Sequence, residues 1–213
     1  MPRQARLDAS GALHHIVVRG IERAKIFRDD ADRDDFLDRL GDLLNETRTP
    51  CYAWALIPNH HLLLRTGLSP LATVMRRLLT GYAVSFNRRD RRHGHLFQNR
   101  YKSFLCQEDA CLLELPRYIH LNPVRARVVA DLRELEQYRY SGHGVLMGKH
   151  HLDWQDDQYV LKMFGARVGA ARRHYRAYVE ESLRLGRRPD LLGGRLLRSI
   201  GGWKGLKESG MQA

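Results

Sequence analysis

Cys51 to Ile57, CYAWALI, is short, aromatic and apolar throughout, the pattern of a buried strand. A buried strand requires a sheet around it, so the rest of the chain has to be placed relative to one. Pro58-Asn59 is a turn or bulge signal, after which Leu62 to Leu64 resume the apolar run with His60 and His61 at its entry. Side chains alternate along a strand, so two adjacent histidines point to opposite faces.

Other segments fit the same plan. Leu13 to Arg19, LHHIVVR, has the β-branched content of a strand punctuated by Gly20, with His14 and His15 on opposite sides and His15 read as a sheet residue. Asp29 and Asp30 can cap a helix whose Phe36, Leu37, Leu40, Leu43 and Leu44 recur at helical steps. Ser69 and Pro70 read as an N-cap and first-turn proline, opening a helix with Leu71, Met75, Leu78, Tyr82 and Phe86 on one stripe. Asp109 caps a third helix through Leu115, Tyr118 and Ile119, expected to kink at Pro116 and to stop near Asn122 before Pro123. From about residue 131 the character changes. Gly, His and Tyr punctuate 136–151, a helix carries Tyr175, Tyr178, Val179 and Leu183, and Gly186 to Lys207 is glycine-rich and basic. The expected division is therefore 1–130 and an accessory region over 131–213, mostly helical and basic.

Charge narrows the partners. Thirty-six Lys and Arg against twenty-four Asp and Glu give a formal net charge of +12, the footprint of a polyanion binder. The densest stretch is Arg88, Arg89, Arg91 and Arg92, followed by Leu96, Phe97, Tyr101 and Phe104 interleaved with Arg100 and Lys102. Cations for phosphates and π-faces for unpaired bases suit single-stranded nucleic acid; a solvated loop beside an ordinary strand suits the composition equally well. The three cysteines lack CxxC spacing, which argues against a zinc knuckle or disulfide framework. No run approaches the ~20 apolar residues of a membrane span, and the expected location is the cytoplasm.

Tyr118 and Asn122 stand four residues apart, on one helical face. Tyrosine, with a pKa near ~10, attacks phosphate poorly unless an electrophile assists it. A divalent ion supplies that help, and two neutral imidazoles with a carboxamide oxygen would hold Mg²⁺ or Mn²⁺ while leaving positions open for phosphate and water.

The ordered motifs HHIVVRG, ALIPNHHLLLRTG, GHLFQNRYKS and RYIHLNPVRA closely resemble those of the REP-associated tyrosine transposases over roughly residues 10–150. The resemblance implies an α+β fold, a ferredoxin-like antiparallel sheet backed by helices, with a small helical C-terminal accessory region. It implies metal-dependent cleavage and transfer of single-stranded or hairpin DNA through a 5′-phosphotyrosine, by a monomer or homodimer. Residue by residue, Tyr118 becomes the nucleophile, His60, His61 and Asn122 the metal ligands, and the cations Arg88, Arg89, Arg91, Arg92, Arg100 and Lys102 the DNA-tracking set. His120, half a turn round from Tyr118, is read as structural or DNA-facing. The family's Pro-Asn-His-x-His is one residue short here, at Pro58-Asn59-His60-His61-Leu62. Either the backbone distorts to bring both imidazoles round, or one histidine remains in the site. That departure also suits a catalytically impaired or domesticated relative acting as a DNA-binding protein.

Overall fold

The computed structural model of the chain describes residues 10–58, 60–106 and 108–184. Its first half is a β-α-β-β-α-β unit: β1 (Leu13–Val18), α1 (Asp30–Thr47), β2 (Cys51–Leu56), β3 (His60–Arg65), α2 (Leu71–Arg89) and β4 (Lys102–Cys106). The sheet runs β2-β3-β1-β4 and every pair is antiparallel, which is the ferredoxin-like arrangement. All six residues of β1 and of β2 are buried. Both faces of the sheet are covered, which is why these strands read as continuous apolar runs and not as an alternation.

The two helices within the unit cover one face. Phe36, Leu40 and Leu44 of α1 and Leu78, Tyr82 and Phe86 of α2 pack on Ile16, Val18, Trp54, Leu56, Leu62 and Leu64. Asp29 caps α1 by accepting from the Asp32 amide. At α2 the expected start shifts by one residue. Pro70 itself stands at the cap, and its carbonyl accepts from Thr73 and Val74.

The opposite face is covered by later elements. They are α3 (Glu108–His120), α4 (Asn122–Arg125), α5 (Leu132–Gln137), α6 (His143–Leu146), α7 (Asp157–Leu161) and α8 (Val168–Arg184). Leu13, Ala53, Ala55 and Leu63 of the sheet join Leu115, Ile119, Leu135, Leu146, Val160, Tyr175 and Val179 in one cluster. Ala53 and Ala55 are small, so α3 lies close against β2. That cluster draws residues from both sides of position 130. Pro116 lies inside α3, which runs continuously to His120; the break comes at Leu121, and Pro123 sits in the first turn of α4, where a missing N–H costs nothing.

α8 braces α3 directly. The Tyr178 hydroxyl donates to Glu114 at 2.7 Å, the Arg117 guanidinium lies 3.9 Å from the Tyr178 ring centre, and the Tyr175 hydroxyl lies 2.7 Å from His120 Nδ1. His120 is therefore a buried structural residue. Gly186 to Lys207, read as a glycine-rich basic stretch, lies outside the described residues. Among the described residues Cys51 is a buried free thiol, and no helix is long and apolar enough to cross a membrane.

Candidate active site beneath the third helix

The register of β1 against β3 decides which side chains can meet. His15 stands opposite Leu63, and Val17 opposite His61, so both imidazoles point to the face that α3 covers. His15 Nε2 lies 3.2 Å from His61 Nδ1, and the rings stack with centroids 5.5 Å apart. Tyr118, on α3, meets both rings edge-on at 6.0 Å and 6.1 Å. On β4, Phe104 lies opposite His15 in register, its ring 6.0 Å away, and Lys102 follows on the same face, exposed. The Arg125 guanidinium lies 5.5 Å from the Tyr118 ring centre.

Burial and charge act together here. Burial raises the Tyr118 phenol above the ordinary tyrosine value, while the positive charges of Arg125 and Arg19 oppose that rise. Arg19 continues the β1 face of His15 and Val17. Gly20 follows it, at a close approach where a Cβ would come within 2.1 Å of the Ala24 carbonyl oxygen. Burial holds His15 down to about 4. His61 lies well below its usual value, through burial first and then the charges of His15, His60 and Arg19. Near neutral pH both rings are uncharged, the state in which imidazole serves as a metal ligand.

His60 and His61 do not share the site. β3 runs undistorted through both, and His60, opposite Val18 and Leu56, points to the other face. It is fully buried there, 4.7 Å ring to ring from Phe36 and 6.4 Å from Phe27, and neither of its nitrogens has a partner among the described residues. The expected pairing of these two histidines on one metal is therefore not what the strand produces. Asn122 is buried at the start of α4, past the break at Leu121, with its Nδ2 unpartnered among the described residues.

The expected DNA-tracking cations also divide. Arg89 pairs with Asp29 and with the buried Asp32, joining the C-terminus of α2 to the N-terminus of α1. Arg92 lies 5.7 Å from the Phe86 ring centre. Arg88, Arg91 and Arg100 are exposed. Lys102 borders the imidazoles. Of the interleaved apolar and aromatic residues, Leu96 and Tyr101 are core residues, and Phe104 faces the site.

Three residues at the site are absent from the sequence-based candidates: His15, Arg19 and Arg125. Strand alternation through 13, 15, 17 and 19, and the two-turn spacing from Tyr118 to Arg125, are the signals that carry them. The donors beside Tyr118 are the neutral ring nitrogens of His15 and His61. Among the described residues no group of three His, Cys, Asp or Glu converges as a metal cage. Such a set suits an ion that completes its shell with water and phosphate oxygens.

The family model for IS200-like transposases matches residues 9–122, more than half of the chain, a span that begins just before β1 and ends on Asn122. The chain belongs to the IS200-like transposase family. DNA transposition is accordingly the process it serves. This transposase is similar in fold to a solved REP-associated tyrosine transposase bound to a REP hairpin, with a TM-score of 0.56 and 15% identity over 72% of this chain and 91% of that one. A putative transposase from Deinococcus radiodurans R1 aligns at a TM-score of 0.38 and 18% identity, over 55% of this chain and 95% of that one. No curated protein matches the sequence.

Proposed function

We propose that this transposase cuts and rejoins single-stranded DNA, with Tyr118 as the nucleophile. The phenolic oxygen attacks phosphorus, the bond to the 3′ oxygen breaks, and a 5′-phosphotyrosine and a free 3′-hydroxyl result. The phenol's proton leaves to solvent and the departing 3′ oxygen takes one up, so the step is balanced without a nucleotide cofactor. Resealing is the same exchange run backwards. Arg19 and Arg125 favour the phenolate and offset the charge that builds on the phosphate. The observation that carries this reading is the approach of Tyr118, edge-on, to His61, with Arg125 beside its ring.

A divalent ion, Mg²⁺ or Mn²⁺, held by His61 and the Asn122 carboxamide would polarise a phosphate oxygen when bound. Lys102 and Phe104 give the strand a cation and a stacking face beside the imidazoles, and exposed Arg88, Arg91 and Arg100 extend the positive path. Hairpin DNA is the substrate class we assign, supported by family membership and by the REP hairpin held by the solved relative of the same fold. A second reading is DNA binding without cleavage, and the departure of His60 from the site favours it.

One experiment separates the two. Labelled single-stranded hairpin DNA incubated with the protein and Mn²⁺ is expected to give a slower, protein-linked band on a denaturing gel, and Tyr118→Phe to abolish it. Salt-sensitive binding with no adduct under any metal would leave only the second reading.

A further inference from the structure

We infer that His15 supplies the second imidazole of the metal centre, so that the ion is held between two neighbouring strands and not along one. This rests on the reading of Tyr118 and His61 as a metal-assisted cleavage site, and adds to it a ligand outside the His-His motif. The motif on β3 is one residue short, and strand parity turns His60 away, leaving a single imidazole from that strand on the α3 face. β1 is its immediate neighbour in the sheet. One diagonal step across the ladder from His61 stands His15, already facing it nitrogen to nitrogen.

The spacing suits a shared ion. Two nitrogens each about 2.1 Å from one metal, at about a right angle, lie roughly 3 Å apart; His15 Nε2 and His61 Nδ1 are 3.2 Å apart. Between two neutral rings that distance is a hydrogen bond, one ring donating. Coordination by both requires only that the shared proton move to the far nitrogen of its own ring, so no proton is lost. The placement of His15 is also firmly set. It sits inside β1, paired on one side with Leu63 of β3 and on the other with Phe104 of β4, and the Phe104 and Tyr118 rings enclose its own. A ligand held by two ladders does not depend on a second histidine from β3, which the shortened motif turns to the other face.

The test uses the full chain and metal alone. In calorimetric titration with Mn²⁺, His15→Phe is expected to lose more than about 100-fold in affinity, beyond the roughly 10–100-fold that loss of an outer-shell partner costs. His60→Leu is expected to bind like the unaltered chain. A His15→Phe loss of about 100-fold or less overturns the inference. Should His15→Phe not fold, the unaltered protein decides. With ¹⁵N-labelled histidine, Zn²⁺ is expected to move the ring nitrogens of His15 and His61 together. Movement of His61 alone, or of neither, overturns the assignment. Failure of the two ideas looks different. A Mn²⁺-dependent DNA adduct with an unresponsive His15 defeats only the inference. Two responsive rings with no adduct defeat only the cleavage reading.

Discussion

His60 and His61 are neighbours in sequence with the same side chain, and the sheet gives them opposite surroundings. On the face covered by α3, His61 finds another imidazole, a phenol and two nearby guanidinium charges. On the face covered by α1 and α2, His60 finds Phe27 and Phe36 and no partner among the described residues for either nitrogen. The first ring stands where its lone pairs can be used. The second carries the desolvation of two polar atoms with no hydrogen bond in return, a cost of about 1–3 kcal/mol. One position along a strand separates a chemical group from a structural burden.

Acid tests the contrast most strongly. His60 is held down to about 3 by burial, against an ordinary value of 6.5. The unfolded chain therefore takes up a proton that the folded chain refuses. Stability should fall as pH drops below about 6.5, by up to roughly 1.4 kcal/mol per pH unit for this residue alone. His60→Leu should remove this residue's share of that slope, leaving those of His15 and His61, and raise stability at neutral pH by about 1–3 kcal/mol, measured by urea unfolding across pH. An unchanged slope would mean that His60 is not the buried burden described.

The cations divide along the same line. Arg89→Ala leaves the buried Asp32 short of its ion-pair partner and should lower the midpoint of urea unfolding, with little change in DNA affinity. Lys102→Ala, on the imidazole face, should leave stability within about 0.5 kcal/mol. It should instead lower the salt dependence of single-strand binding by about 0.7 in log-log slope, one phosphate contact. Reversed results would exchange the roles of the two residues.

An insertion sharpens the contrast further. A valine inserted between His60 and His61 puts the His60 ring on the α3 face and an apolar side chain between Phe27 and Phe36. Mn²⁺ affinity should rise by about tenfold, equivalent to about 1.4 kcal/mol. A fall would show that the cross-strand pair leaves no room for a third ring.

Much of this was legible in the sequence, for local reasons. Strand and helix patterns placed β1, β2, β3 and both helices of the first unit, left β4 open between a strand and a hairpin, and the ordered motifs carried the family. Tyr118 and His61 lie inside those motifs. His15 does not emerge from them as a ligand, because its nearness to His61 depends on β1 lying next to β3, a fact of sheet order 46 residues away in sequence. Arg89 was misleading for the same reason. A run of arginines looks uniform until Asp29 and Asp32, some sixty residues earlier, claim one of them. Leu96 and Tyr101, interleaved with cations, looked like a binding surface and are core, since composition does not say which way a side chain points.

The brace between α8 and α3 bears on how the gene can be cut. Tyr178 and Tyr175 grip Glu114 and His120, which bracket Tyr118 on its own helix. A product ending ahead of Val168 would keep each motif of the family signature and still present Tyr118 on a helix held by the sheet on one side, without its brace. The last described helix is thus the keystone of the arch, although it lies beyond Asn122, where the family signature ends.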